Sequence, residues 1–160
     1  MYLWISGDNY ERWGGDGENR ARVTLDLTPD LQSDETLNNS DKTFTVPADT
    51  EWTVQWIWLE FTTTAVVGAR QIEIKILDDA ADIIAELVPS LTQAASLTYQ
   101  YLFSDSGPAS EALRDGNQTH ILSPRWILPA GYQMRIWDNN AVDAAADDLI
   151  IQMMVLSRPV

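Results

Sequence analysis

Along most of this chain apolar and polar residues alternate one by one, the period of a pleated strand rather than of a helix. Val23, Leu25 and Leu27 oppose Thr24, Asp26 and Thr28, and Ile72, Ile74 and Ile76 oppose Gln71, Glu73 and Lys75. Leu97, Tyr99, Tyr101 and Phe103 line one side of a further run, and Tyr132, Met134 and Ile136 one side of another. Residues 78–81 predict a turn and 82–87 the returning strand of a hairpin. Ile83, Ile84, Leu87 and Val88 also fit one helical face, and the hairpin is the preferred reading.

Two segments have no clear solvent face. In WTVQWIWLEF, residues 52–61, strict alternation places Trp52, Val54, Trp56 and Trp58 together, with Thr53, Gln55, Ile57, Leu59 and Phe61 opposite. Residues 149–156 are apolar on both faces, which predicts a central strand. Both segments are expected to pack between sheets or between subunits.

Pro, Gly, Asn and Asp punctuate the rest, predicting loops over 29–41, 104–119 and 138–148. Residues 1–42 read as an N-terminal arm touching down at Leu3, Trp4 and the Val23 strand, or equally as a first strand of the same body. Residues 43–160 read as the folded domain. Seven or eight short strands without a clear helix predict an all-β protein, an antiparallel β-sandwich or barrel, and a jelly roll fits the strand count.

Composition narrows the function classes. With 24 acidic against 10 basic residues the formal net charge is −14, which disfavours nucleic acid and anionic membranes as partners. Residues 1–50 already carry 10 of the acids and 4 of the bases, so the acidity is spread along the chain. It favours solubility, or a basic docking surface. No window approaches a membrane helix, and no secretory signal opens the chain. Absence of cysteine excludes disulfides, thiolate metal sites and cysteine nucleophiles.

Candidate chemistry is sparse. The single histidine, His120, would have to serve as the base of any Ser-His-Asp unit, and no Gly-x-Ser-x-Gly elbow accompanies it. No carboxylate pair stands out for glycoside hydrolysis. Asp138, Asp143, Asp147 and Asp148 around one loop, and Asp8, Asp16 and Glu18 around another, lack the spacing of a calcium loop and read as solvated turns. No catalytic residue, metal or cofactor is therefore expected. Seven tryptophans raise sugar binding as a rival function, with Trp52, Trp56 and Trp58 as a platform; core or protein interface is the preferred account of them.

Two stretches carry a resemblance. VPADTEWTVQWIWLEFTTTAVVGARQIEIKI (46–76) and LPAGYQMRIWDNNAVDAAADDLIIQMMV (128–155) resemble a group of small jelly-roll virion proteins of tailed bacteriophages. The shared features are a V-P-A strand entry, a W-x-V-x-W-I strand, a T-T-T-A-x-V-G-x-R-Q-I turn, and an L-P-A-G-Y-x-x-R-x-x-D strand before an Ala/Asp loop. The resemblance covers residues 43–157, and none of its motifs is catalytic. It implies a non-enzymatic structural protein of the virion, assembled in the host bacterial cytoplasm. The expected role is capsid decoration or cement between subunits of the major capsid protein; a tail-associated adaptor or a carbohydrate-binding adhesin module is the alternative. A homotrimer would suit sites of local threefold symmetry. The expected interface residues are Leu3, Trp4, Trp52, Trp56, Trp58, Trp126 and Trp137, with the arm and residues 104–119 touching partners.

Overall fold

The structure is a computed structural model and describes residues 27–107, 110–114 and 117–160. Leu3, Trp4, the acidic cluster at Asp8, Asp16 and Glu18, and most of the expected Val23 strand lie outside the described residues. Eleven strands follow in chain order: β1 (Thr28–Asp34), β2 (Asp41–Thr45), β3 (Thr50–Thr62), β4 (Ile72–Leu77), β5 (Ile83–Leu87), β6 (Thr98–Ser104), β7 (Ser110–Arg114), β8 (Gln118–Leu122), β9 (Ile127–Leu128), β10 (Gln133–Asp138) and β11 (Asp148–Pro159). They build a two-sheet β-sandwich with no helix among the described residues. The larger sheet runs β1-β11-β3-β6-β8-β7, with β9 beside the start of β3, and the smaller runs β2-β10-β4-β5.

Single alternation becomes the core directly. Ile72, Ile74 and Ile76 of β4 and Met134 and Ile136 of β10 face Leu149, Ile151, Met153 and Val155 of β11 and Tyr101 and Phe103 of β6, all at most 2% exposed. The hairpin forms as β4 and β5, its turn fastened by the Asp78 carboxylate, which accepts from the backbone of Ala80 and Asp82. Residues 149–156 lie inside β11, between β1 and β3, the central position their two apolar faces predicted.

The two-faced segment 52–61 is resolved by a β-bulge. Val54 sits opposite Val155 and Trp56 opposite Met154, which leaves Gln55 as an extra residue without a partner on β11. The extra residue reverses the alternation. Trp52 and Val54 therefore point inward together with Ile57, Leu59 and Phe61, and all five are buried. Trp56 and Trp58 point outward. The expected row of Trp52, Trp56 and Trp58 does not exist, because strict alternation breaks at Gln55.

Two expected loops contain strands. Residues 28–34 form β1, an edge strand that pairs with β11 from Thr28↔Ser157 to Asp34↔Ile151. Its side chains are mostly exposed and it opens with Pro29, which an edge tolerates. Residues 28–42, expected in the arm, thus supply β1 and the start of β2 to the two sheets. The stretch 104–119 contains β7, antiparallel to β8, while β8 lies parallel to β6, an exception to the otherwise antiparallel ladders.

One buried charge ties β1 to β2. Lys42 is 1% exposed, with its ammonium 3.0 Å from the Asp34 carboxylate and 2.6 Å from the Thr36 carbonyl. Burial alone would raise the Asp34 carboxyl; the Thr36 backbone N–H and the Lys42 ammonium outweigh it and hold the group below its ordinary value of 3.8. A group held low in the folded state takes its proton more readily when unfolded. Its stabilisation is whole above the unfolded value and is lost as pH falls through the lower, folded one. Asp34→Asn is expected to lower the urea midpoint at about pH 6, and the gap from the parent should close on acidification towards about pH 3. A gap that stays constant with pH would refute this assignment.

Candidate functional site

The register of the larger sheet defines its outer face row by row. One row carries Leu31, Met154, Trp56, Ser104 and Leu122 across β1, β11, β3, β6 and β8. The next carries Ser33, Gln152, Trp58, Leu102 and His120. Leu31 is 50% exposed, Leu122 44% and, at the end of the sheet, Ile127 58%. A solvated outer face would alternate polar residues into these positions. Here β3 and β11 place apolar side chains on both faces.

Over the middle of this face lies an open groove of about 830 Å³. Trp56, Trp58 and Leu102 form its floor, and Gln55, Gln152, Asp105 and Arg125 stand among its polar lining residues. The bulge allows Gln55 and Trp56, neighbours in sequence, to line the same groove. Arg125 donates to Asp105 through Nε at 2.8 Å and lies within 2.8 Å of the same carboxylate oxygen through Nη2.

His120 and Ser104 meet at the edge of the groove. Ser104 Oγ is 2.7 Å from His120 Nε2 and 2.6 Å from the Ser106 carbonyl oxygen. A carbonyl only accepts, so the single hydroxyl proton of Ser104 goes to Ser106, and Nε2 of His120 must carry a proton and donate to Ser104. In that tautomer the imidazole is not a base towards Ser104. The contact instead fixes the turn at residues 104–107, where Gly107 has φ +119° and a Cβ would stand 2.3 Å from His120 Cε1.

The outer face of the smaller sheet is built differently. Trp137 lies between Arg135, 4.2 Å from its ring centre, and Lys75 at 4.9 Å, and donates from Nε1 to Glu73 at 3.0 Å. Arg135 forms a two-point pair with Asp41, and Lys75 approaches Glu73 and Glu86 at 3.3 and 3.4 Å. Both of these cations are paired within the face. Trp126, by contrast, packs partly buried against the core while its carbonyl accepts from Val54 at 3.0 Å. The five tryptophans expected at an interface within the described residues thus occupy three kinds of place: Trp52 and Trp126 with the core, Trp137 in a charged ladder, and Trp56 and Trp58 in the groove.

Of the aspartates in residues 138–148, Asp138 and Asp147 are buried rather than solvated, Asp143 and Asp148 are half-buried, and Asp148 opens β11. Asp138, 1% exposed, accepts from the backbone of Gln71, Asn140 and Val142. Asp147 is fully buried and takes Arg70 in two-point fashion, at 2.9 Å from Nε and 3.3 Å from Nη2. Asp143 accepts from Thr64 Oγ1 at 2.6 Å, and Asp148 from the backbone N–H of Asn38 at 2.5 Å. Each carboxylate is taken by a protein donor, and among the described residues no group of acids or histidine is arranged to hold a metal ion.

Asp105 falls in the stretch 104–119 expected to touch partners, whereas Gln55, Arg125 and Gln152 were not expected in a site. Only Gln55 left a trace, as the break in alternation between Val54 and Ile57. The others come together through sheet register and a loop return, which have no local pattern. No family model, no curated protein and no solved structure matches this chain.

Proposed function

We propose that this chain is a non-enzymatic structural protein of a bacteriophage virion, a jelly-roll subunit that decorates and cements the head. The jelly-roll reading is supported by nested antiparallel pairs: β1 with β11, β2 with β10, β3 with β6, and β4 with β5. Adding β11 beside β3 and β10 beside β4 rolls that long hairpin into two sheets, with β7, β8 and β9 inserted between β6 and β10. The phage assignment rests on the resemblance of residues 43–157.

The observation that carries a surface-acting role is the apolar outer face of the larger sheet. Its β1 side presents Leu31 and Met154 and its far side Leu122, side chains that a free monomer gains nothing by exposing. Seated between shell subunits, they add buried apolar area without any moving part. A threefold arrangement of such modules matches local threefold positions in a shell.

Mass measurement of the purified chain is expected to give three times the 18.0 kDa of one copy. Co-sedimentation is expected to show binding to expanded heads of the parent phage and not to unexpanded ones. Leu31→Asp together with Leu122→Asp should abolish that binding while changing stability by only about 0.5 kcal/mol per site. A strict monomer indifferent to both kinds of head would overturn the reading. Gold label found at the neck or tail would replace it with the adaptor alternative.

A further inference from the structure

We propose that the groove over Trp56 and Trp58 is a binding site for a neutral saccharide chain. The inference rests on the groove alone; because Trp56 shares its row with Leu31 and Leu122, the site is that of the free subunit, and a saccharide in it would compete with head attachment.

A pyranose ring has two kinds of surface. Its C–H faces are apolar and stack on aromatic rings, and its hydroxyls point outward around the rim, each able to donate and accept. The groove offers the complement of both. Trp56 and Trp58 lie two residues apart on one face of β3, with Leu102 opposite Trp58 on β6. Around them stand planar groups that bond neighbouring hydroxyls in pairs: the amides of Gln55 and Gln152, the Asp105 carboxylate and the Arg125 guanidinium.

Charge selects the class of sugar. Asp105 and Arg125 neutralise each other at 2.8 Å, so the groove has no net charge of its own, while the chain as a whole carries −14. A sulfated or uronate polymer would meet that repulsion. A cation would find no surplus carboxylate. An apolar peptide knob would cover the indoles but strip water from the charged Asp105–Arg125 pair and from the Gln55 and Gln152 amides, which would retain only their bonds to the Thr53 carbonyl at 3.2 Å and to Glu35 at 3.3 Å, a desolvation cost that an apolar contact does not offset. A neutral saccharide satisfies rings and rim together.

Shape selects its length. The groove is open rather than enclosed, so it suits a chain passing across the sheet and not a small molecule buried on most sides. Binding through such a surface is expected to be weak for one copy and strengthened by the number of copies displayed.

The test uses the full chain with cellohexaose, maltohexaose, chitohexaose and mannohexaose as probes, and heparin as an anionic control. At least one neutral hexasaccharide is expected to shift tryptophan emission to the blue and to release heat in calorimetry. Trp58→Ala should weaken that binding by about tenfold or more. Arg125→Gln, at a 57% exposed side chain, should weaken it severalfold with an unchanged urea midpoint, which guards against a folding artefact. Val67→Ser, at a 92% exposed side chain outside the groove, should leave it unaltered. No response to any of the four neutral probes overturns the proposal, as does binding that survives in folded Trp58→Ala or a response to heparin alone.

Discussion

Arg70→Met is expected to lower the unfolding free energy by about 3–5 kcal/mol, among the largest losses any single side chain here can cause. Arg70 and Asp147 are both 0% exposed. Beyond the two-point pair with Asp147, Arg70 donates from Nη1 to the carbonyls of Val66 at 2.6 Å and Gly68 at 2.9 Å. Asp147 in turn accepts from the Thr64 backbone N–H at 2.7 Å. Removing the guanidinium leaves a buried carboxylate without its counter-charge and two carbonyls without that donor. For a chain of this length each kcal/mol moves the melting temperature by roughly 2–4 °C, so the midpoint should fall on the order of 10 °C.

A double replacement separates this account from simple loss of packing. If the cost is an uncompensated charge, Arg70→Met with Asp147→Leu should recover much of what either single change loses. Melting curves of the four proteins give the coupling directly, and a double variant as unstable as the sum of the singles would contradict it. The pair also joins two distant stretches of the chain, residues 46–76 and residues 128–155. Arg70 lies in the first and Asp147 in the second, and Gln71, Asp138 and Asn139 add further bonds between them. Together they pin the connection between β3 and β4 against that between β10 and β11, at one end of the sandwich.

Deleting Gln55 is expected to be worse still. Without the extra residue, β3 cannot hold Trp52 and Val54 on the same face as Ile57, Leu59 and Phe61, because alternation would turn one group outward. Exposing Trp52 and Val54 alone forfeits on the order of 5 kcal/mol, comparable to the whole stability of many domains. The deletion should yield an insoluble or unfolded chain, seen by loss of near-ultraviolet ellipticity and dispersed amide resonances. Gln55→Ala keeps the residue count and should keep the fold, with a change of about 1 kcal/mol or less. A deletion variant that melts like the parent with Trp52 still buried would show that the bulge is not what sets the register.

The strands that were legible in the sequence are those with one clear face. Ile72, Ile74 and Ile76, or Met134 and Ile136, state their own direction, because burial of a pleated face demands period two. β1 has the composition of a loop for the opposite reason. Its side chains are mostly exposed and its place in the sheet comes from backbone bonds to β11, which no side-chain pattern records. The buried charges were illegible too. Lys42, Arg70, Asp138 and Asp147 look like surface residues until distant partners are brought to them, and their partners lie up to 83 positions away.

Taken by itself, the sequence determined an all-β chain: alternating runs of six or so residues, cut by Pro, Gly and Asp, can bury an apolar side only by stacking two sheets. It also determined the strong acidity and the lack of thiol chemistry. Tertiary structure alone decided which tryptophans are core and which line the groove. One unpaired residue in β3 reverses the facing of everything beyond it, and a linear pattern cannot say which half of the strand is the half that turns.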